Sequence, residues 1–379
     1  MDWTRWREEF PSTARLVHMN HAGISPLPCR VANAIRHFAD EGMVLDRAVY
    51  QRWEERAEAV RAAAARLIGA RPREIAFVRN TSEGLSLVAA GLPWQRGDNV
   101  VTVADEYPSN VYPWFGLRRW GVETRLLTRP QLRFGAADVE ALIDRRTRVV
   151  AVSAVDWQSG FRVDLASLAE LCRPRDILLV VDGIQAVGAL RTDVAPCGVD
   201  VLAAGGHKWM LAPEGCGILF ISERVIERIH PVVLGWKSVE NAGVYLPYHF
   251  ELRADAARLE PGSAAHLAIH ALGAAIDLLL EIGTDAIQAR VLDTTARLAE
   301  ELRGVGATIL SPMAPAERSS ILTFALGDAP RLHRALTEAS VIVRQRLGGI
   351  RLAPHFYNDA DDVARVVDAV RAFRDRASE

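Results

Sequence analysis

The stretch Val201-Leu-Ala-Ala-Gly-Gly-His-Lys-Trp209 joins a short apolar run to two glycines, a histidine and a lysine. The apolar run has the length and composition of a strand that is buried on both faces, as the strands of parallel sheets are. Residues that follow such a strand lie beyond its carboxyl end, where open α/β sheets bind their ligands. Lys208 is therefore predicted to lie at a ligand site.

Lysine is rare in this chain. Of 45 basic residues in 379, only Lys208 and Lys237 are lysines, which leaves 43 arginines. Arginine cannot replace lysine where chemistry needs a primary amine, because its guanidinium stays protonated. Both lysines are thus candidates for amine chemistry, and chance survival during a drift toward arginine is the alternative, above all for Lys237.

Six further apolar runs of strand length alternate with helical patterns. The six runs are 75–78, 99–103, 123–127, 148–153, 177–181 and 217–221. The run at 201–203 described above brings the number of predicted strands to seven. Apolar strands separated by helices are typical of a mostly parallel sheet that helices cover on both faces. A long helix is predicted over 46–68, ended by Gly69 and Pro72. The sequence therefore predicts an α/β fold around a seven-stranded, mostly parallel sheet.

The pattern changes near residue 261. Long helices are predicted over 262–282 and 285–303, followed by short strands over 308–310, 320–326 and 341–343 and a closing helix over 361–377. We expect a large domain over 15–255 that carries the ligand site, and a smaller α/β domain formed by 1–14 and 256–379.

The composition is that of a globular enzyme. Half of the residues are hydrophobic, 24% are charged and the net charge is −2, so the charge gives no reason to expect nucleic acid or a membrane as partner. The four cysteines are widely spaced and form no C-x-x-C, so neither a metal site nor a disulfide framework is expected. No secretory signal or membrane span is predicted, and we expect a cytoplasmic protein.

Polar residues follow three of the predicted strands. Thr81, Ser82 and Glu83 open a helix after 75–78, and form either a phosphate cradle or an ordinary helix cap. Asp182 follows 177–181, and either pairs with a buried cationic nitrogen or caps a helix. Lys208 beside His207 is placed to have a lowered pKa and to form a Schiff base. Together they supply the amine, the acid and the phosphate cup that pyridoxal phosphate needs.

The sequence resembles the class V aminotransferase family of fold-type I pyridoxal-phosphate enzymes. That family includes cysteine desulfurases, selenocysteine lyases, isopenicillin N epimerase-like proteins and kynureninases. The resemblance covers nearly the whole chain, and its most specific piece is Gly206-His-Lys208. The other segments that carry it are His18-Met-Asn-His-Ala-Gly-Ile-Ser-Pro-Leu27, Arg79-Asn-Thr-Ser-Glu-Gly84, Asp105-Glu-Tyr-Pro-Ser-Asn-Val-Tyr-Pro-Trp114, Val181-Asp-Gly-Ile-Gln-Ala-Val187, Arg258-Leu-Glu-Pro-Gly-Ser263 and Ile350-Arg-Leu-Ala-Pro-His-Phe-Tyr-Asn358.

The resemblance implies a role for each matching residue. Lys208 would hold the cofactor as a Schiff base and move the proton at the substrate α-carbon, and Asp182 would pair with the pyridine nitrogen. Arg351 would clamp the substrate carboxylate. The remaining cofactor contacts would come from Thr81, Ser82, Glu83, Tyr107, Gln185 and His207, with Tyr107 stacked on the ring where desulfurases have a histidine. Gly262 and Ser263 would reach the neighbouring subunit's phosphate, which implies a homodimer with shared active sites.

Two departures from the family pattern bear on the reaction. Gly205 stands where many relatives have a phosphate-binding serine, and 341–350 contains no cysteine of the kind desulfurases need. Cys216, between two glycines, is interpreted as a packing residue.

The substrate pocket is less well defined by the sequence. Its further candidates are Trp157, Trp236 and His355, with packing in the core or at an interface as the alternative. A second anion site could come from Arg162, Arg344 and Arg346, for which a solvated surface position is the alternative.

These features predict an enzyme that acts on an amino acid through a Lys208 Schiff base and a quinonoid intermediate. Transamination is the first choice by class resemblance; a C–S lyase and an amino-acid epimerase are the alternatives. For epimerisation, Tyr107 or His355 would have to supply a second base. Other classes of protein are less well supported. The sequence contains neither the G-x-G-x-x-G motif of a nicotinamide dehydrogenase nor a P-loop. A non-catalytic binding protein is disfavoured because Lys208, Asp182 and Arg351 are all present.

Overall fold

A seven-stranded sheet forms the centre of the computed structural model, which describes residues 2–129 and 131–377. From one edge to the other, its strands are Ile75–Val78 (β2), Gly217–Ile221 (β8), Val201–Gly205 (β7), Leu178–Asp182 (β6), Thr147–Ser153 (β5), Asn99–Val103 (β3) and Glu123–Leu127 (β4). The strand β8 is antiparallel to both neighbours, and the other neighbouring pairs are parallel. The predicted mostly parallel sheet is confirmed. The first eight strands of the chain are β1 Val17–His18, β2 Ile75–Val78, β3 Asn99–Val103, β4 Glu123–Leu127, β5 Thr147–Ser153, β6 Leu178–Asp182, β7 Val201–Gly205 and β8 Gly217–Ile221.

Both faces of this sheet are buried, which explains the continuous apolar runs. In β5, Val150 and Val152 pack in one hydrophobic cluster, whereas Val149 and Ala151 pack in the other. Side chains alternate between the faces of a strand, so a strand that is covered on both sides needs apolar residues at every position.

Helices cover the two faces. The predicted helix over 46–68 is observed as α3, and the Asp46 carboxylate caps it by accepting the Val49 N–H at 2.8 Å. The helix α8 begins at His266, later than predicted, because Gly262 and Ser263 lie in a loop. The eleven helices of the described residues are α1 Thr4–Arg7, α2 Cys29–Met43, α3 Arg47–Leu67, α4 Thr81–Gly91, α5 Tyr112–Phe115, α6 Ala136–Glu140, α7 Leu165–Cys172, α8 His266–Ile282, α9 Thr284–Gly304, α10 Ala329–Glu338 and α11 Ala360–Ala377.

The helix α8 packs on the large sheet's helical layer, against α2 and α3. Gly273 permits the close approach, because a Cβ there would lie 2.3 Å from Val60 Cγ2 of α3. In the part of the chain that the structure describes, no single helix is long and apolar enough to cross a membrane; α8 and α9 reach that length and hydropathy only as a pair bent by 81°.

A second, four-stranded sheet lies in the C-terminal part. Its strands are β9 Thr308–Ile309, β10 Leu322–Ala325, β12 Arg344–Arg346 and β13 Gly349–Leu352, in the order β12-β13-β10-β9, while β11 Val341–Ile342 pairs with β1. The strand predicted over 341–343 is observed as β11, whereas β12 and β13 were not predicted. Leu347 and Gly348, with φ of 52° and 71°, form a two-residue turn between β12 and β13.

The division into a large and a small domain stays a prediction. The second sheet has its own hydrophobic cluster, which also takes in Val17 and Met19 from the N-terminal segment. Met1 and residues 378–379 lie outside the described residues.

Candidate active site

A cavity of about 410 Å³ lies at the carboxyl edge of the large sheet. That volume is within the range of roughly 300–1,000 Å³ of small-molecule sites. Its wall combines ends of the parallel strands with the N-terminal segment and the β12–β13 hairpin. The predicted residues that it brings together are Thr81, Ser82, Tyr107, Trp157, Gln185, His207, Lys208 and Arg351.

Lys208 lies in this wall just after β7, and its side chain is nearly buried. Its Nζ is 5.4 Å from the centroid of the Tyr107 ring. The pKa of Lys208 is lowered to about 8, mainly by burial; Asp182 opposes this shift, and Arg351 and Arg346 contribute to it. A substantial fraction of this amine is therefore neutral near pH 8, as a nucleophilic lysine requires.

Asp182 ends β6 and lies behind the wall, fully buried. Its Oδ1 accepts the Ile184 N–H at 2.9 Å. Burial raises the pKa of Asp182 to about 6, although the Ile184 amide and Lys208 act in the opposite direction. The carboxylate stays ionised at neutral pH and can stabilise a cationic nitrogen beside it.

The N-terminus of α4 forms one end of the cavity. Asn80 caps the helix, its Oδ1 accepting the Glu83 N–H at 2.9 Å. Thr81 Oγ1 accepts the Gly205 N–H at 3.0 Å, and the Ser82 and Ser109 hydroxyls are 2.7 Å apart. Hydroxyl donors at the positive end of a helix form a site for a phosphate group.

The Glu83 side chain is not part of this end of the cavity. It turns away to bind Arg79, with Arg79 Nε donating to Glu83 Oε1 at 2.8 Å. As a cofactor contact Glu83 stays a prediction, and in this structure it lines a neighbouring cavity.

Gln185 and two aromatic residues form the middle of the cavity. Trp209 Nε1 donates to Gln185 Oε1 at 2.8 Å and Gln185 Nε2 donates to the Ala22 carbonyl at 3.1 Å, so the amide orientation is fixed. The Tyr107 ring, 41% exposed, meets Trp157 edge-on at 5.4 Å between centroids. Tyr107 therefore presents a ring face to a ligand.

Arg351 of β13 forms the opposite end and is almost completely buried. It donates through Nη1 to the Trp157 carbonyl and through Nη2 to Asn20 Oδ1 at 3.2 Å, while its Nε has no acceptor among the described residues. Burial lowers the pKa of Arg351 to about 9, with Arg346 and Arg344 adding to the effect. A buried cation with an unused donor needs an anionic ligand.

His355, which the sequence predicted as a substrate contact, does not line this cavity. It is buried outside the cavity, where Nε2 donates to the Trp209 carbonyl at 3.0 Å and Nδ1 accepts the Phe356 N–H at 2.8 Å. Burial lowers the pKa of His355 to about 4. With both nitrogens used, this imidazole is held neutral and away from a ligand.

Three other predicted residues lie away from this cavity of their own chain. Trp236 is 43% exposed and packs against Tyr245, so it lines no pocket with Lys208. Gly262 and Ser263 line a neighbouring cavity on the other side of the α4 N-terminus. A backbone hydrogen bond explains why these residues lie together away from Lys208. The Lys237 N–H donates to the Pro261 carbonyl, which holds the loop of Trp236 against the loop of Gly262 and Ser263.

The remaining basic candidates divide into two groups. Arg344 and Arg346 line the cavity, whereas Arg162 lines a separate one. The Lys237 Nζ donates to Glu54 at 2.7 Å, so this second lysine forms an ion pair.

The sequence reasoning missed Asn20, Ser109 and Glu106. Asn20 and Ser109 lie in two of the segments that carry the family resemblance, and each orients a neighbour in the cavity wall. Glu106 accepts hydrogen bonds from the Ser153 amide and hydroxyl, and its burial raises its pKa to about 7. Its position directly before Tyr107 was the available signal. No group of three or more potential metal ligands is found in 2–129 and 131–377.

The whole chain was compared with known proteins. The sequence model of the family described as aminotransferase class-V matches residues 17–366. The chain belongs to this family. The class V aminotransferases similar to it include an uncharacterized aminotransferase of Schizosaccharomyces pombe, 28% identical over 355 residues, with 91% of this chain and 89% of that protein covered. Isopenicillin N epimerase of Streptomyces clavuligerus is 29% identical, with 98% of each chain covered.

Among solved structures, the apo cysteine desulfurase of Thermococcus onnurineus is similar to this class V aminotransferase with a TM-score of 0.88 and 25% identity. The match covers 98% of this chain and 97% of that one. The protein is thus a pyridoxal-phosphate enzyme of fold-type I. The residues present fit the cofactor: Lys208 supplies a partly neutral amine, Asp182 a buried carboxylate, and the α4 N-terminus a set of phosphate donors.

Proposed function

We propose that this enzyme transfers the amino group of an amino acid to a keto acid, with Lys208 as the proton carrier. The observation that carries the proposal is the arrangement of Lys208 between the α4 N-terminus and Arg351 in one cavity. Bound pyridoxal phosphate supplies an electron sink for negative charge at the substrate α-carbon. The chain's own residues bind both molecules and move the proton.

Each end of the cavity has its own task in this proposal. Thr81 and Ser82 would donate to the cofactor phosphate, and Asp182 would keep the ring nitrogen protonated. Gln185 would donate its remaining N–H to the phenolic oxygen, and Tyr107 would pack against the ring. Arg351 would orient the substrate carboxylate, which would bring the α-hydrogen toward Lys208 Nζ. Lys208 would accept that proton and, for transamination, donate it again from the same amine.

Epimerisation is less well supported because it needs a second base on the opposite face. His355 is removed from consideration by its burial and its two hydrogen bonds. Of the two candidates for that base, only Tyr107 lines the cavity. One amine that both accepts and returns the proton fits transamination.

A C–S lyase is the second candidate, favoured by the similarity to a cysteine desulfurase. Desulfuration through an enzyme cysteine is not supported, because the four cysteines, all within the described residues, lie outside the cavity. Burial raises the pKa of Cys216 to about 12, so its thiol is not activated. A lyase that releases its product directly would need only Lys208.

One single-turnover experiment separates these reactions. The cofactor-loaded enzyme is mixed with one amino acid and no keto acid. For transamination we expect one keto acid per active site and loss of the visible cofactor absorption until a keto acid is added. Repeated release of sulfide and a keto acid with the absorption retained would replace the proposal with the lyase. Loss of the configuration at the α-carbon, without release of a keto acid, would replace the proposal with the epimerase.

We further propose a homodimer in which Gly262 and Ser263 serve the partner's cavity. Both lie outside the cavity of their own chain, beside a surface segment with many exposed apolar side chains. That segment includes Val232, Val233, Leu234, Trp236, Val244, Tyr245, Leu246, Tyr248 and Phe250, of which Tyr248 is 91% exposed. Contiguous apolar surface of this kind marks protein–protein contacts, and a second copy completes the phosphate site.

Complementation tests the shared site. A Lys208→Ala chain and a Ser263→Glu chain are each expected to be inactive, and mixing them after mild dissociation should restore about a quarter of the wild-type activity. Absence of recovery although mixed dimers have formed would exclude shared sites.

A cytoplasmic location is also proposed, supported by four cysteines that are all free thiols.

A further inference from the structure

We infer that the substrate is a dicarboxylic amino acid or its keto acid, whose second carboxylate is bound by Arg346, stacked on Trp157, with Arg344 at the cavity rim. The inference rests on the proposed function and narrows its substrate class. It concerns the end of the cavity opposite the α4 N-terminus.

The β12–β13 hairpin places three arginines on one face. In the strand register, Arg344 lies opposite Arg351, and Arg346 lies opposite Gly349. Directly paired residues and residues two apart in a strand point to the same side of a sheet. All three arginines line the cavity.

This arrangement concentrates positive charge without a protein carboxylate to balance it. Among the residues that the structure describes, Arg344, Arg346 and Arg351 form no salt bridge, and Asp156, which acts on Arg351, is already paired with Arg129. Like charges opposite each other destabilise a strand pair. The cluster therefore needs anions from a ligand.

One carboxylate does not satisfy the cluster. Arg351 Nε and Arg346 Nε are both buried and have no acceptor among the described residues. Burial and the positive charge of Arg344 both lower the pKa of Arg346, so an anion beside it would be stabilising. The phosphate of the cofactor has its own donors at the α4 end. The α-carboxylate pairs with Arg351, so a second anionic group on the substrate is required for Arg346.

The Arg346 guanidinium is held ready for that group. Its Cζ lies 4.9 Å from the centroid of the Trp157 ring, and its Nη1 donates to the Gln345 carbonyl at 2.7 Å. A stacked guanidinium keeps a fixed plane and can form paired hydrogen bonds with a carboxylate. Trp157 also connects the two arginines, because its carbonyl accepts from Arg351.

Calorimetric titration of the cofactor-loaded enzyme with unreactive acids tests the inference. Succinate and glutarate are compared with butyrate and pentanoate, which have the same chain lengths and one carboxylate fewer. The wild type should bind at least one dicarboxylate roughly 10- to 100-fold more tightly than its monocarboxylate, as a charge-assisted pair predicts. The better of the two lengths indicates the substrate's length.

The variant Arg346→Met keeps an unbranched side chain on Trp157 and removes the charge. It should lose the dicarboxylate preference and bind monocarboxylates as the wild type does. Arg162→Met is the matched control, since Arg162 lines another cavity and its loss changes the net charge equally. An equal preference in the wild type and Arg346→Met, or no preference in the wild type, would overturn the inference.

The two proposals fail in distinguishable ways. Single turnover with aspartate and glutamate measures amino transfer, whereas the titration measures only anion binding. A dicarboxylate preference without keto-acid release would refute transamination and leave the substrate class in place. Keto acid from a neutral amino acid only, without that preference, would refute the substrate class and leave transamination in place.

Discussion

Because the chain contains only two lysines, the state of the Lys208 amine can be measured directly by competitive labelling. A trace of acetic anhydride acetylates neutral amines, and mass spectrometry of the two lysine peptides reports each site. The experiment uses protein stripped of cofactor across the alkaline pH range. Lys237, whose Nζ is paired with Glu54, is the internal reference.

The magnitude follows from the surroundings of Lys208. Its pKa of about 8, against 10.5 for an ordinary lysine, makes about half of the amines neutral at pH 8. An ordinary lysine would be about 0.3% neutral at that pH, so Lys208 should carry roughly 150-fold more reactive amine. The labelling midpoint of Lys208 is expected near pH 8.

Two variants give the sign of each contribution. Asp182→Asn removes a charge that favours the ammonium, so the midpoint should fall below that of the wild type. Arg346→Met removes a charge that disfavours the ammonium, so the midpoint should rise. A wild-type midpoint near 10.5 would refute the account of a lysine activated by burial, and no downward shift in Asp182→Asn would exclude the contribution of that carboxylate.

Three further outcomes are expected. Lys208→Ala should abolish turnover and covalent attachment of the cofactor, and undiminished turnover would contradict its role. Arg351→Ala should weaken the binding of amino acids about 100-fold with cofactor affinity unchanged, measured by separate titrations; a weakened cofactor affinity instead would place Arg351 at the wrong end of the site. Because the native pKa of Glu106, about 7, is raised above the ordinary 4.5, its ionisation costs stability as pH rises through that window. Glu106→Gln should therefore stabilise the cofactor-free protein by up to about 3 kcal/mol at pH 8 and by almost nothing at pH 4 in denaturant unfolding, and an equal gain at both would exclude the carboxylate.

The central sheet could be predicted because burial on both faces leaves a continuous apolar signal. Each predicted run of the large sheet coincides with an observed strand to within about two residues. The small sheet was predicted less well, since its strands have two to four residues. Such runs are too short to show a period, and the turn at Leu347 and Gly348 has only one glycine as its signal.

The site could be predicted where a residue directly follows a strand. Thr81, Asp182 and Lys208 are of this kind, because the parallel sheet alone brings them to one edge. His355 and Trp236 could not be placed, since their positions depend on contacts between distant segments. The same limit applies to Arg346. Whether its side chain faces solvent or the cavity depends on how the hairpin packs on the rest of the fold, and the local sequence does not show this.

The two-residue turn between β12 and β13 has a consequence for how this enzyme can change. Alternate positions of β12 face the cavity, and Gln345 between them bonds the Ala329 carbonyl of α10 on the other side. If Arg346 has the role inferred above, substitutions at 344 and 346 alter which acids are accepted and leave the α4 N-terminus unchanged. An insertion or deletion of one residue would instead exchange the two faces of the strand and bury arginine against α10. New specificities in this lineage are thus expected to arise by point substitution in the hairpin, at conserved hairpin length.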